Sequence, residues 1–227
     1  MGKVIILPET TKNPITLIGE RAGYCWGGDV SNPEKNYKRG LDCIKSNHGR
    51  TFEFVNIETV ITGYSARVIR EWYTHIGGSP TRLQESTRYV DGTNFDYVIP
   101  PSIASIKSSE ALEYYHNAMM TIKEAVTNLK FCGVPKEDYA MLLPLGMKTT
   151  IVDKRNLRNI VDMSRQRECN RAYWEYRNLF ANYKKELSKY SDEWKTLTDL
   201  LFMPKCEVFG YCPEKNSCGR KSKRKEL

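Results

Sequence analysis

The stretch THIGGSPTRLQESTRY, residues 74–89, decides how this chain is read. A histidine, two glycines, two arginines, a carboxylate, an amide and several hydroxyls crowd together in it, with almost nothing apolar to bury. Such a segment gains little from core packing, so folding alone accounts for it poorly. Its chemistry suits an anionic, planar, hydrogen-bond-rich ligand. Guanidinium forks grip phosphate or a pyrimidine edge, and hydroxyls add rotatable donors. A nucleotide meets that description.

Working outward, Ser65–His75 upstream is expected as a helix with Val68, Ile69 and Trp72 inward, and it delivers the chain into this segment. Before it, Phe52–Ile61 is rich in aromatic and β-branched residues and reads as a strand. Downstream, Val90–Pro101 suits a strand stopped by its proline pair. Ser105–Phe131 is the clearest helix: Leu112, Tyr115, Met119, Ile122, Val126 and Leu129 recur at intervals of three and four, and Gly133-Val134-Pro135 ends it. That stripe reads as core or subunit contact. Leu142–Val152 is strand-like around Gly146, and Asp153 is expected to cap a helix carrying Leu157, Ile160 and Val161. Asp153, Arg155 and Asn159 would then converge near that helix's positive pole. Helices follow at Asn170–Tyr190 and Asp192–Leu201.

Toward the N-terminus, a short apolar run ended by Pro8 and Glu9 reads as an opening strand, not a signal peptide. Asn32–Asn47 is helical, with Asn32 as cap and Pro33 in the first turn. The class is α+β, with a modest sheet, substantial helix and one domain over residues 1–204. A Cys-containing extension covers 205–219, and a basic tail, expected to be unstructured, covers 220–227.

Charge and cysteines narrow the function. The net charge is +8, of which the tail RKSKRKEL carries +4, and a body so mildly basic argues against a nucleic-acid partner. No apolar run approaches a membrane span. Seven cysteines without a leader point to a reducing, cytoplasmic setting. Cys206, Cys212 and Cys218 are evenly spaced single thiols with no nearby histidine, so no metal is expected there, although a zinc site stays open. Dinucleotide, Walker-type, zinc-protease and serine-elbow signatures are all missing. An enzyme built this way has to import its reactivity from a cofactor.

The segment QESTRY, Gln84–Tyr89, resembles the substrate motif of the flavin-dependent thymidylate synthases. FEF at 52–54, ARVIREW at 66–72, LLPLG at 142–146, DKRNLRN at 153–159 and RECNRAYWEYR at 167–177 resemble further motifs of that family, in order. The resemblance implies a mainly antiparallel twisted sheet flanked by helices, and a homotetramer binding FAD between subunits. It implies conversion of dUMP to dTMP, with 5,10-methylenetetrahydrofolate as carbon donor and NADPH reducing the flavin. By motif position, Gln84, Ser86, Arg88 and Arg167 would bind dUMP, with Ser86 and Arg167 nearest the chemistry. His75, Asp153, Arg155 and Asn159 would hold FAD. Thr74-His75-Ile76 stands where the family carries Arg-His-Arg, and Asp153 where it usually has Asn. Both flanking guanidinium groups are thus lost, and a loop of Gly77, Gly78 and Ser79 with Arg82 is expected to restore phosphate binding through backbone N–H groups and one charge. The losses leave room for a catalytically weakened member that binds flavin or nucleotide without full synthase activity.

Overall fold

A four-stranded sheet in the order β1-β2-β4-β3 runs through the fold, in a computed structural model that describes residues 2–106 and 109–224. Along the chain come β1 (Lys3–Ile6), α1 (Pro14–Cys25), α2 (Pro33–Lys45), α3 (Gly49–Phe52), β2 (Asn56–Ser65), α4 (Ala66–Trp72), β3 (Thr81–Gln84), α5 (Pro101–Ala104), α6 (Ser109–Phe131), α7 (Lys136–Tyr139), β4 (Lys148–Asn156), α8 (Leu157–Arg167), α9 (Trp174–Tyr190), α10 (Asp192–Leu201) and α11 (Lys205–Phe209). This is the mixed helix-and-sheet class expected. No described helix is long and apolar enough to cross a membrane.

The chain gathers into two compact units. The first holds residues 1–2, 61–73 and 83–151. Its core contains Ile61, Val68, Ile69 and Trp72, all fully buried, so α4 buries the face expected of it. Ser65 caps α4 by accepting the Val68 N–H. Met119 and Val126 are the buried members of the α6 stripe, and the rest of that stripe is half-buried.

The second unit holds residues 3–60, 74–82 and 152–227. Helices α1 and α2 cross so closely that a Cβ on Gly19 would strike the Asn36 backbone, and one on Gly40 the Ile15 backbone. Glycine permits that approach. Helix α9 buries Tyr176, Leu179, Phe180, Tyr183 and Leu187, spaced three and four apart, against its neighbours. Burial of such side chains supplies about 1.5–3 kcal/mol each before entropy.

Three sequence expectations are corrected and one element was missed. Helix α1 was not foreseen. Its Asn13 cap makes no side-chain bond, and Glu193 of α10 instead accepts the Ile15 and Thr16 N–H groups at 2.7 and 3.0 Å. Val90–Pro101 is not a strand; Asp91 turns the chain by accepting the Thr93 N–H at 3.0 Å, and only an antiparallel bridge between Tyr97 and Met147 remains. Strand β2 starts at Asn56, because Phe52 ends the helical turn α3. Asp153 caps nothing. It lies within β4, and Asn156 caps α8 by accepting the Asn159 N–H at 2.9 Å.

Candidate functional site

Strand β4 explains how the second unit's polar cluster is built. Its side chains alternate, and Asp153 and Arg155 both take the inward face at 1% exposure. Arg155 Nε donates to Asp153 Oδ2 at 2.7 Å in a fully buried ion pair. Leaving either charge alone there would cost about 3–5 kcal/mol. The Arg155 Nη1 donates to the His75 carbonyl at 2.8 Å, to Asn159 Oδ1 at 2.7 Å and toward Met163 Sδ at 3.4 Å. Arg155 thus ties the 74–82 loop to the start of α8.

His75 and Arg167 form a second hydrogen-bonded pair in the cluster. Arg167 Nε donates to His75 Nε2 at 3.0 Å, and the guanidinium lies over the Tyr176 ring with its carbon 4.5 Å from the centroid. The His75 ring meets the same tyrosine edge-on, with centroids 6.1 Å apart. Burial, then the charges of Arg167 and Arg155, push the His75 pKa down to about 4. The ring is therefore neutral near pH 7. Because Nε2 accepts, the proton sits on Nδ1, which becomes the ring's donor. Tyr183, pushed well above its usual pKa by burial and by Asp153, stays protonated.

The charge balance of this cluster is modest. Asp153 cancels Arg155 and His75 is neutral, so apart from Arg167 these side chains carry no net charge. That suits an electron-rich ring edge better than a diphosphate. The adjoining loop passes through left-handed backbone at Gly78 (φ 72°) and Ser79 (φ 52°). The Ser79 N–H is used on the Ile76 carbonyl at 3.2 Å, so of the three groups expected to bind phosphate only those of Gly77 and Gly78 are left to serve. A Cβ at Gly77 would stand 3.3 Å from Asn159 Nδ2, so glycine keeps the approach to that amide clear. Arg82 is half-buried on β3 of this unit.

The first unit carries its own cavity, about 350 Å³, beside Ser86. Thr62, Thr87, Thr149 and Thr150 supply hydroxyls to its wall, and Thr62 and Thr150 share a 2.8 Å hydrogen bond. The Glu85 N–H donates to the Thr150 carbonyl at 2.8 Å, which fixes the start of the 85–89 loop against β4. Ser86 Oγ accepts the Arg88 N–H at 3.2 Å and keeps its own O–H to donate. Gln84 Nε2 reaches Thr149 Oγ1 at 3.5 Å. Arg88 points elsewhere, to an exposed ion pair with Glu137 at 3.0 Å. The lining carries Glu85, Asp91 and Asp96 against Lys148, with Asp91 held by Lys130 at 2.7 Å.

The nine residues singled out from sequence thus fall into two groups. His75, Asp153, Arg155, Asn159 and Arg167 come together in the second unit, which also holds Arg82. Gln84, Ser86 and Arg88 belong to the first, with only Ser86 on the cavity wall. Sequence reasoning missed Tyr176. The helical turn of α9 puts Tyr176 under Arg167. It also missed Thr62, Thr149 and Thr150, for which only the strand alternation was a signal.

Comparison with known proteins places this architecture. A family model described as thymidylate synthase complementing protein matches residues 7–191. The flavin-dependent thymidylate synthase of Nitratidesulfovibrio vulgaris is 32% identical over 215 residues, covering 89% of this chain and 84% of that protein. The Pyrococcus furiosus enzyme of the same name is 30% identical, covering 97% and 95%. In fold, the chain resembles the crystal structure of a flavin-dependent thymidylate synthase from Helicobacter pylori complexed with FAD and dUMP. That match has a TM-score of 0.66 at 16% identity, over 86% of this chain and 98% of the other.

Proposed function

The chain belongs to the flavin-dependent thymidylate synthase family, and from that premise we propose that it converts dUMP to dTMP. The proposed reaction takes its carbon from 5,10-methylenetetrahydrofolate and its reducing equivalents from NADPH through FAD. It would proceed in a cytoplasmic homotetramer with FAD at subunit interfaces and without a membrane or nucleic-acid partner. The observation that carries the reading is the convergence of His75, Arg155, Asn159 and Arg167, from separate stretches of chain, into one hydrogen-bonded cluster.

The donors present fit a flavin in part. The Nδ1–H of His75 and the Nδ2 of Asn159, kept approachable by Gly77, match the acceptor-rich edge of an isoalloxazine. The buried Asp153–Arg155 pair serves from behind, by fixing His75 and Asn159 in place. When bound, FAD supplies the hydride chemistry that no side chain here provides. The chain's own contribution is positioning and electrostatics. Arg167, held by His75 and Tyr176, polarises the pyrimidine edge. Gln84 and Ser86 orient the nucleotide through hydrogen bonds, with Ser86 as donor and not as nucleophile. Arg88 and Arg82 take the phosphate, Arg88 after leaving Glu137.

Tritium release from 5-tritiated dUMP tests this directly. Purified protein should be yellow, release FAD on denaturation, and liberate tritium only with methylenetetrahydrofolate and NADPH. Colourless protein without tritium release would overturn the reading, and bound FAD without release would mark a binding-only protein. Arg82→Ala should weaken dUMP binding; unchanged affinity would remove Arg82 from the phosphate site.

A further inference from the structure

Four of the chain's seven cysteines, Cys169, Cys206, Cys212 and Cys218, line one cavity of about 270 Å³ in the second unit, between the end of α8 and the C-terminal segment. All four are free thiols. Part of the basic tail expected to be unstructured packs beside them. Arg220 donates to Asn170 Oδ1 at 2.7 Å and to the Glu168 carbonyl at 3.3 Å, and Cys212 and Lys223 form a parallel bridge. Residues 225–227 lie outside the described residues. Among those described, no three candidate ligands are placed to hold a metal ion, whereas the redox chemistry of free thiols is open to this cluster.

The contacts of the C-terminal segment bracket Cys169. The Arg220 side chain bonds the residues on either side of it, and the Cys218 sulfur faces the Asn170 backbone N–H. That nitrogen is bonded to the Cys169 carbonyl carbon, so the Cys218 sulfur lies within roughly 6 Å of the Cys169 Cα. Side-chain rotation on an exposed turn closes the remaining gap to disulfide geometry. The turn is shaped by Gly219, which takes φ 87° and donates its N–H to Ser217 Oγ at 3.1 Å. Access separates the four thiols: Cys218 is exposed, Cys169 is half-buried, and Cys206 and Cys212 are buried. The thiolate is the reacting form of cysteine. The Arg220 N–H stabilises it at Cys218, and the Arg220 guanidinium and the N–H groups of Cys218 and Asn170 add to this, holding the pKa below the usual thiol value.

We propose that Cys218 is a peroxide-reactive thiol that closes a reversible disulfide with Cys169. The Cys218 thiolate attacks a peroxide oxygen and the O–O bond breaks. The departing hydroxide takes up a proton as water, which leaves a sulfenic acid on Cys218. The Cys169 thiolate then attacks the Cys218 sulfur. The S–S bond forms as the S–OH bond breaks, and the hydroxide leaves with a proton as a second water. With hydrogen peroxide, two thiols and one peroxide give one disulfide and two waters, and the two electrons lost by sulfur reduce the peroxide. A dithiol such as dithiothreitol reverses the bond by exchange. A transient disulfide of this kind is compatible with a reducing compartment. It fastens the C-terminal segment to the end of α8, and it makes no use of the flavin reading.

The full-length chain, reduced and then freed of reductant, is treated with hydrogen peroxide at pH 7 and mapped by mass spectrometry. The expected product is a linked Cys169–Cys218 peptide that dithiothreitol releases. Cys25 and Cys132, which are also exposed, should oxidise several-fold more slowly than Cys218. In Cys169→Ser the sulfenic acid on Cys218 should persist and be trapped by dimedone, and in Cys218→Ser the linked peptide should be absent. A disulfide from Cys218 to Cys206 or Cys212 overturns the proposal, as does a Cys218 no faster than Cys25 and Cys132. Zinc held by the purified chain at one per chain, with these thiols unreactive, overturns it too. Cys218 is exposed, so its variant and the relative rates decide the matter even if Cys169→Ser fails to fold.

Discussion

Protonating His75 should destabilise the folded chain, and the size of the effect follows from its surroundings. Its pKa is pushed from 6.5 down to about 4 by burial and by Arg167 and Arg155. Between those values the unfolded chain binds more protons than the folded one. Stability is therefore full above about pH 6.5 and is lost as the pH falls toward 4. A depression of this size corresponds to about 3 kcal/mol. The ring is only half-buried, and solvent screening reduces the expectation to about 1–2 kcal/mol. The structural cause is plain: protonated Nε2 cannot accept from Arg167, and two cations then face each other at 3.0 Å. Urea unfolding of the wild type and of His75→Gln at pH 7 and pH 4.5 measures this. Glutamine keeps an acceptor but does not titrate, so groups common to both proteins cancel. The wild type should lose about 1–2 kcal/mol more than the variant across that interval. A difference that stayed flat with pH would refute the reasoning.

Three further outcomes are expected. Arg155→Met should destabilise by about 3–5 kcal/mol in thermal or denaturant melts, because Asp153 stays buried without its cation, and adding Asp153→Leu should recover much of the loss. Gly78→Ala should cost about 2 kcal/mol or more, since alanine resists the left-handed backbone and its Cβ would collide with the side-chain amide of Asn156, which caps α8. Glu137→Gln should change stability by less than about 0.5 kcal/mol, because its ion pair with Arg88 is exposed. The same variant should tighten dUMP binding in calorimetry by releasing Arg88, and a weaker affinity would take Arg88 out of the substrate site.

Elements whose signals are local were legible without coordinates. Helices α2, α4 and α10 carry their own caps in Asn32, Ser65 and Ser191, each within a turn of the N–H it satisfies. The inward residues of α4 and the stripe of α6 followed from spacing, and the ordered motifs from 52 to 177 were enough to name the family. Helix α1 stayed hidden because its N-terminal N–H groups are satisfied by Glu193, nearly the whole chain away. Strand β4 was misread at its end because alternation was sought in apolar residues, while its inward face carries Asp153 and Arg155 as a mutually neutralising pair.

By itself, then, the sequence determined the helical faces, the family and the residues of interest, since each rests on neighbours a few positions apart. Only the tertiary structure decided what those residues are. It made His75 neutral, set Arg167 on Tyr176, turned Arg155 from an expected ligand contact into a buried support, and left Arg88 on Glu137. Protonation state and orientation depend on desolvation and on charges brought in from distant positions, and no local pattern records them.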